Sequence, residues 1–234
     1  MDPDLTIIMC VYNEMGRIQA SLDELFKALE GRRELVEVLV LDNCSTDGTR
    51  EWLKTVIHPV AKVQFNERNL GKGGSVKRGM KLSRGRHVII HDADQEYQAS
   101  EIWTMLDRAN ETKSQLVLGS RVLGGCIRHE YVYYRNYLGV RFLTWLINAL
   151  YGCRITDAAT ALKLMDGDVA RSLDLRCSGF DLDFELVARV VRKGYTVEET
   201  AVQYRPRTKR EGKKIRAWRD GLLALWAILV TRFR

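Results

Sequence analysis

Short apolar runs alternate with stretches of helical periodicity along the first half of the chain. The apolar runs predict buried strands, and the amphipathic stretches between them predict helices. The predicted strands are Thr6–Val11, Val36–Asp42, Lys62–Asn66, His87–His91 and Leu116–Gly119. The predicted helices are Met15–Leu29, Arg50–Val56, a segment ending at Met80 after the glycine-rich turn 69–74, and Glu101–Ala109. This βαβ alternation indicates an α/β fold with a mostly parallel central sheet flanked by helices.

The second half of the chain has a different pattern. Tyr131–Tyr151 is crowded with aromatic residues and leucines, which fits a buried core helix or the wall of an apolar groove, and Asp181–Lys193 predicts another helix. We find neither a linker nor an internal repeat. We therefore expect one domain over residues 1–215, followed by an amphipathic helix over residues 216–234.

This C-terminal segment is apolar but short. Only 12 residues separate Arg219 from Arg232. As a helix they extend about 18 Å, against about 30 Å for the hydrocarbon core of a bilayer, so the segment does not span a membrane. One predicted face carries apolar residues at helical spacing: Trp218, Leu222, Leu225, Leu229 and Phe233. Such a face fits a helix on an anionic membrane surface, or one packed on the core or on a second subunit.

Composition narrows the class of protein. The 234 residues are 46% hydrophobic and carry a formal net charge of +7. A chain of this kind folds around a real core and favours an anionic partner such as a phosphorylated molecule, an acidic membrane or nucleic acid. Five scattered cysteines form no Cys-x-x-Cys pair, and the N-terminus does not read as a secretory signal. Both observations predict a cytoplasmic protein with reduced thiols.

Acidic residues follow the fourth predicted strand. Asp92, Ala93 and Asp94 come directly after it, and Glu96 is close behind. Carboxylates in this arrangement hold a hard divalent cation that bridges to phosphate oxygens. The alternative is a solvated acidic turn that caps the next helix.

Two other strand ends and a glycine-rich turn supply further candidate groups. Tyr12 and Glu14 follow the first strand and Asp42 ends the second, where a ring can stack on a base and a carboxylate can bind its amide edge. Alone, each is equally well explained as a turn with a helix cap. The turn around Lys72 matches neither the dinucleotide-binding nor the P-loop pattern. This glycine-rich turn could still let the backbone and Lys72 come close to a phosphate group.

Taken together, these segments resemble an inverting glycosyltransferase of family 2 with the nucleotide-sugar-binding fold called GT-A. The segments that carry the resemblance occur in family order at residues 11–14, 42–49, 69–74, 92–94 and 119–121. The second half is similar to polyprenyl-phosphate sugar synthases, which move mannose or glucose from a nucleotide to a membrane lipid phosphate. The similar segments there are Thr156-Asp157 with Lys163, Gly179-Phe180 with Glu185, and Tyr204 to Arg207 with residues 211–215.

The resemblance implies a role for each matching residue. The implied donor-binding residues are Cys10, Tyr12, Glu14, Asp42, Lys72, Asp92, Ala93, Asp94 and Arg121. The implied ligands of Mg²⁺ or Mn²⁺ are Asp92, Asp94 and Glu96. The implied phosphate and acceptor residues are Arg135, Lys163, Arg207 and Lys213, and the implied catalytic residues are Asp94, Asp157 and Arg121. Cys10 stands where the family usually has a proline, and Asn43-Cys44 where it usually has Asp-Gly. These departures leave the nucleobase open, and the resemblance implies either GDP-mannose or UDP-glucose as the donor.

The acceptor decides whether a base is needed. A lipid phosphate is already ionised near neutral pH and attacks without one, whereas a saccharide or protein hydroxyl requires a base, for which Asp157 is the candidate. We expect the lipid acceptor, with the protein bound peripherally to the cytoplasmic face of a membrane. The basic run after Tyr204 also fits a nucleic-acid surface. An apolar segment follows it, however, and no exposed aromatics are interleaved, so we expect no nucleic-acid partner.

Overall fold

The computed structural model describes residues 2–125, 134–207 and 217–233 as one seven-stranded sheet with helices on both faces. The strands are β1 (Leu5–Val11), β2 (Val36–Asp42), β3 (Ala61–Phe65), β4 (His87–Ile90), β5 (Leu116–Ser120), β6 (Lys163–Asp166) and β7 (Val197–Ala201). The helices are α1 (Ile18–Leu29), α2 (Thr49–Leu53), α3 (Gly71–Leu82), α4 (Glu101–Thr112), α5 (Tyr134–Tyr151), α6 (Gly167–Ser172), α7 (Leu182–Arg192) and α8 (Ala217–Phe233).

The sheet brings the ends of β1, β2 and β4 to one edge. Its strand order is β3-β2-β1-β4-β6-β5-β7, and β6 runs antiparallel to both of its neighbours while the other pairs are parallel. Val11 pairs with Asp42 across β1 and β2, and Ile8 pairs with Ile90 across β1 and β4. The segments that follow these three strands therefore meet, at the edge where open α/β sheets bind ligands.

The pleat of the strands divides the interior into two cores. In β1, Leu5, Ile7 and Met9 pack with the helices on one face, while Ile8 packs on the other face with Val76 of α3. This burial on both faces explains why β1 is a continuous apolar run and shows no alternation. The five strands predicted from such runs are all present, and the mostly parallel α/β fold is confirmed.

Two strands have no apolar run and were not predicted. β6 contains a lysine and an aspartate, and its fully buried Lys163 is paired with Asp183 of α7. β7 reads Val-Glu-Glu-Thr-Ala and lies half-buried at the sheet edge. Both strands form because their neighbours complete the sheet, so the pattern of their own side chains gives little signal.

The predicted glycine-rich turn 69–74 is partly wrong, because α3 already begins at Gly71. Gly71 has a φ of +73°, and a Cβ there would lie 2.2 Å from the carbonyl oxygen of Ser178. The amide of Gly73 donates to that same oxygen at 2.8 Å. The glycines therefore let the first turn of α3 pack directly against the backbone before α7.

α8 packs against α7 and α5 and keeps much of its apolar surface outside. Ala224, Ala227, Ile228 and Thr231 form its buried side, and the Tyr151 hydroxyl of α5 donates to the Ile228 carbonyl at 2.7 Å. Of the predicted apolar face, Trp218, Leu222 and Phe233 are exposed, while Leu225 and Leu229 are half-buried. Along the described ranges, every helix is too short or too polar to cross a membrane.

Candidate active site

A cavity of about 310 Å³ opens at the edge where β1, β2 and β4 end. Seven of the nine predicted donor-binding residues line it, and Arg207 and Phe180 close it from the second half of the chain. The lining residues are Cys10, Val11, Tyr12, Glu14, Asn43, Asn69, Gly71, Lys72, Ser75, Asp92, Ala93, Asp94, Phe180 and Arg207. The cavity therefore joins the strand ends to the segment that follows β7.

One guanidinium lies among three carboxylates of this cavity and its rim. Arg207 Nη2 donates to Asp94 Oδ2 at 2.7 Å, Nη1 lies 3.4 Å from Glu14 Oε1, and Nε lies 3.5 Å from Glu96 Oε1. The Tyr204 hydroxyl donates to the other oxygen of Glu96 at 2.9 Å. This cluster has an excess of negative charge, because one guanidinium is surrounded by three carboxylates.

The electrostatics of Asp94 follow from this crowding. Burial, together with the charge of Glu96, raises the pKa of Asp94 even though Arg207 acts in the opposite direction. Burial lowers the pKa of Arg207, but Asp94, Glu14 and Glu96 outweigh it and raise the pKa overall. A cation in this place is therefore strongly stabilised.

The carboxylates suit a hard divalent cation. Asp94 and Glu96 offer oxygen donors two residues apart at the cavity rim, the ligand type that Mg²⁺ and Mn²⁺ prefer. Within residues 2–125, 134–207 and 217–233, no three His, Cys, Asp or Glu side chains converge as a ready-made metal site. The protein thus fits a cation held by one or two carboxylates and completed by substrate phosphate and water.

Asp92 belongs to a second, buried chain of charges. Lys72 Nζ donates to Asp92 Oδ2 at 2.7 Å and lies 3.9 Å from Asp183 Oδ2. Asp183 Oδ1 accepts from Lys163 Nζ at 2.8 Å. Burial raises the pKa of Asp92 although Lys72 opposes it. Asp92 is thus paired with a lysine, whereas Asp94 is paired with Arg207, although the charge of Asp94 also helps to raise the pKa of Asp92.

Lys163 does not reach the cavity, so its expected contact with phosphate is not seen. Its side chain is 0% exposed and is bound to Asp183 and the Thr160 carbonyl. Burial lowers its pKa, and Asp183 only partly compensates. We correct its role to that of a buried partner of Asp183, because an inaccessible cation contacts no ligand.

Asp42 is likewise buried and does not line the cavity. Arg50 Nε lies 3.4 Å from its carboxylate, which accepts from the Ser45 amide at 3.2 Å. Asp42 thereby orders the turn that follows β2. This turn holds the end of β1, because Thr49 Oγ1 accepts a hydrogen bond from the Glu14 amide at 3.0 Å. Instead of the predicted nucleoside contact, Asp42 organises the turn that positions Glu14.

Arg121 and Asp157 form a buried pair beside the cavity. Arg121 Nε donates to Asp157 Oδ2 at 2.6 Å and Nη2 to Oδ1 at 2.8 Å. The guanidinium stacks 5.1 Å from the ring centre of Tyr204. Burial acts to raise the pKa of Asp157, but the charge and hydrogen bonds of Arg121 outweigh it and hold that pKa below its usual value. Neither residue lines the donor cavity, contrary to the prediction for Arg121.

Several residues that line the cavity were not selected by the sequence analysis, among them Asn43, Asn69 and Phe180. Asn43 Oδ1 accepts from the Leu70 amide at 2.8 Å, and Asn43 Nδ2 donates to Asn69 Oδ1 at 2.9 Å. Phe180 lies 5.8 Å from Lys72 Nζ. All three lie within segments that the sequence analysis had already singled out, and that position was the signal that could have identified them. The side chain of Arg135 and all of Lys213 lie outside the described residues.

Proteins of known structure share this fold. Glucosyl-3-phosphoglycerate synthase from Mycobacterium tuberculosis in complex with UDP superposes with a TM-score of 0.74 at 17% identity, covering 98% of this chain and 80% of that one. This likeness confirms the GT-A-type fold.

Curated relatives are similar over most of the chain. A dolichyl-phosphate β-glucosyltransferase of Dictyostelium discoideum is 25% identical over 98% of this chain and 74% of its own length. The low-salt glycan biosynthesis hexosyltransferase Agl6 of Haloferax volcanii is 26% identical over 88% of this chain. The aligned region spans about half of that relative, at 48% of its length. The sequence profile described as glycosyl transferase family 2 matches residues 6–172, more than half of the chain. With the strand-end motifs gathered in one cavity, this match shows that the chain is a glycosyltransferase and belongs to family 2.

Proposed function

We propose that this enzyme transfers glucose from UDP-glucose to a polyprenyl phosphate, with inversion at the anomeric carbon. Relatives named as dolichyl-phosphate β-glucosyltransferases support both the sugar and the acceptor class. The UDP complex of the structural neighbour supports the nucleotide. GDP-mannose is the competing donor, and it enters the assay below on equal terms.

The observation that carries the acceptor is the pairing of Asp157 with Arg121. A hydroxyl acceptor needs a base, and Asp157 is the candidate for it. Both of its oxygens are occupied by Arg121, and its lowered pKa makes it a weak proton acceptor at neutral pH. A phosphate acceptor arrives ionised and needs no base, so it fits this site better than a hydroxyl.

The proposed reaction is a single displacement. An oxygen of the lipid phosphate attacks the anomeric carbon, the bond from that carbon to the diphosphate breaks, and the nucleoside diphosphate leaves with the bonding electrons. Lys72 and Arg207 border the cavity in which both phosphate groups must fit. Their positive charge offsets repulsion between the two anions and orients the acceptor.

Asp94 and Glu96 are the residues that would hold Mg²⁺ or Mn²⁺. When bound, such a cation stabilises the charge that develops on the departing diphosphate. Asp92 and Lys72, joined at 2.7 Å, would order the ribose and diphosphate side of the donor. Tyr12 and Asn43 lie on the wall toward β1 and β2, where the base would bind.

Because the proposed acceptor is a lipid, we also propose that the protein binds to the cytoplasmic face of a membrane. α5 exposes Leu138, Phe142 and Trp145, and the adjoining α8 exposes Trp218, Leu222, Leu223, Trp226 and Phe233. Arg141 of α5 is exposed on the same helix, and Arg219 and Arg232 flank the apolar residues of α8. Apolar and aromatic side chains next to arginines suit an anionic lipid surface.

A transfer assay tests this function. The protein is incubated with Mn²⁺, radiolabelled UDP-glucose or GDP-mannose, and either a short polyprenyl phosphate or the matching polyprenol. We expect labelled glucosyl lipid from the phosphate and none from the polyprenol. Asp94→Asn should abolish transfer, whereas the matched change Asp107→Asn on the exposed side of α4 should leave it intact. Labelled saccharide without labelled lipid would reject the acceptor, and labelled mannosyl lipid would reject the sugar.

A further inference from the structure

We propose that Arg207 is an exchangeable counter-cation of the active site, whose guanidinium and a divalent cation are alternative partners of Asp94. Binding of metal and donor then displaces the guanidinium from the carboxylates and makes it available to the acceptor phosphate. This inference rests on the proposed function and adds an order of binding, with the donor first and the acceptor second.

The contacts of Arg207 show a cation already in place. Its three nitrogens each face a different carboxylate, with Asp94 the nearest at 2.7 Å. The side chain is only 14% exposed, so water screens this charge poorly. In this arrangement the guanidinium neutralises carboxylates that would otherwise repel one another and the donor diphosphate.

A metal ion and this guanidinium compete for the same oxygens. A divalent cation binds carboxylate oxygen at about 2.1 Å, while Asp94 Oδ2 already accepts from Arg207 Nη2. Bound together, the two cations would lie within several ångströms of each other in a poorly solvated site, and at that distance their repulsion is large. The site therefore favours one of them at a time at Asp94.

The backbone around Arg207 is anchored, so the exchange needs movement of the side chain alone. The amide of Arg205 donates to the main-chain carbonyl of Glu96 at 2.9 Å, a contact that does not use the carboxylate proposed to hold the metal. Tyr204 pairs with Tyr97 in an isolated bridge. A displaced guanidinium thus stays at the cavity that it lines, where its planar fork suits two phosphate oxygens.

Mn²⁺ binding tests the competition without using activity. Free Mn²⁺ is titrated by electron paramagnetic resonance against wild-type protein, Arg207→Gln and the matched control Arg205→Gln, whose exposed side chain lies two residues away. Arg207→Gln should bind Mn²⁺ about tenfold more tightly than wild type, since a hydrogen bond to a charged group is worth about that factor. Arg205→Gln should stay within about twofold of wild type, because an exposed charge is screened.

The order of binding is tested on wild-type protein, so it does not depend on the folding of a variant. Equilibrium dialysis of a short isoprenyl phosphate should show several-fold tighter binding with Mn²⁺ and UDP present than without them. Equal binding in both conditions would overturn the proposed order. Mn²⁺ affinity in a folded Arg207→Gln that is equal to or weaker than that of wild type would overturn the competition.

These outcomes are separable from failure of the proposed function. Tighter Mn²⁺ binding by Arg207→Gln, combined with no transfer to any lipid phosphate, rejects the acceptor and supports the cation exchange. Transfer by wild-type protein, combined with unchanged Mn²⁺ affinity in Arg207→Gln, rejects the exchange and supports the function. Absence of Mn²⁺ binding in every variant, with and without UDP, rejects the exchange, and the transfer assay then decides the function.

Discussion

The carboxylate of Asp157 accepts two hydrogen bonds from the guanidinium of Arg121, at 2.6 Å and 2.8 Å, and the Arg121 amide adds a third contact at 3.2 Å. Asp157 is fully buried and Arg121 nearly so. The pair joins the end of β5 to the loop before β6, directly under Tyr204. Through Tyr204 it supports Glu96 at the cavity rim.

We expect Asp157→Asn to destabilise the protein by about 3 kcal/mol or more, because it leaves the buried guanidinium of Arg121 without its countercharge. Urea unfolding at pH 7 measures this change. Asp168→Asn, at a carboxylate that is paired with Arg171 but fully exposed, is the matched control and should cost less than about 1 kcal/mol. Equal effects of the two substitutions would contradict the importance of the buried pair.

The same pair predicts a dependence of stability on pH. The pKa of Asp157 is lower in the folded protein than its usual value of 3.8. Its contribution to the free energy of unfolding is therefore complete above that usual value and is lost as the pH falls through the lower folded pKa. The difference in stability between wild type and Asp157→Asn should be flat from pH 8 to about pH 5 and shrink below pH 4. A difference that grows toward acid pH would contradict the sign.

Lys163 and Asp183 form a second buried pair, and we expect their effects on the free energy of unfolding to be coupled. Lys163→Met removes the cation and leaves Asp183 buried without it, which should cost about 3 to 5 kcal/mol. The double substitution Lys163→Met with Asp183→Asn removes both charges and should recover at least half of that loss. A denaturant series on wild type, the single variants and the double variant gives the coupling. Simple additivity of the two single effects would show that the pair is not coupled.

Gly71→Ala should damage both folding and donor binding. The positive φ and the carbonyl oxygen of Ser178 leave no room for a Cβ, so the first turn of α3 must shift, together with Lys72. We expect a loss of about 2 kcal/mol or more in stability and weaker binding of UDP with Mn²⁺. Gly139→Ala in α5, where a Cβ meets no atom within 4 Å, is the control and should stabilise by about 0.5 to 1 kcal/mol. Intact UDP binding by Gly71→Ala would contradict the close packing.

The exposed apolar residues of α8 should determine binding to lipid. Trp226 is 66% exposed, so Trp226→Ser should leave the fold intact while it weakens binding to anionic vesicles roughly tenfold. Co-sedimentation with vesicles measures this affinity. Ile57→Ser, at a 96% exposed side chain in the segment between α2 and β3, should leave the affinity unchanged. Equal losses for both substitutions would indicate nonspecific adhesion and contradict a membrane face on α8.

The sequence by itself determined the parts of this protein that depend on neighbours along the chain. Apolar runs predicted β1, β2, β4 and β5 because strands buried on both faces need no other signal, and a shorter run predicted the half-buried edge strand β3. Polar residues placed directly after β1 and β4 predicted the cavity, because parallel strands bring their carboxyl ends to one edge. Tyr12, Glu14, Asp92 and Asp94 were found in this way and line the cavity.

The tertiary structure alone decided how the charges are paired, because the partners lie on different elements and most of them are far apart in sequence. Asp42 is paired with Arg50 and Lys163 with Asp183, which removes both from the cavity surface. Arg207 lies 113 residues beyond Asp94 in sequence and meets it at 2.7 Å. A charged side chain has the same local pattern whether it faces a ligand or a buried partner. Only the packing of β6, α7 and the segment after β7 around the sheet distinguishes the two.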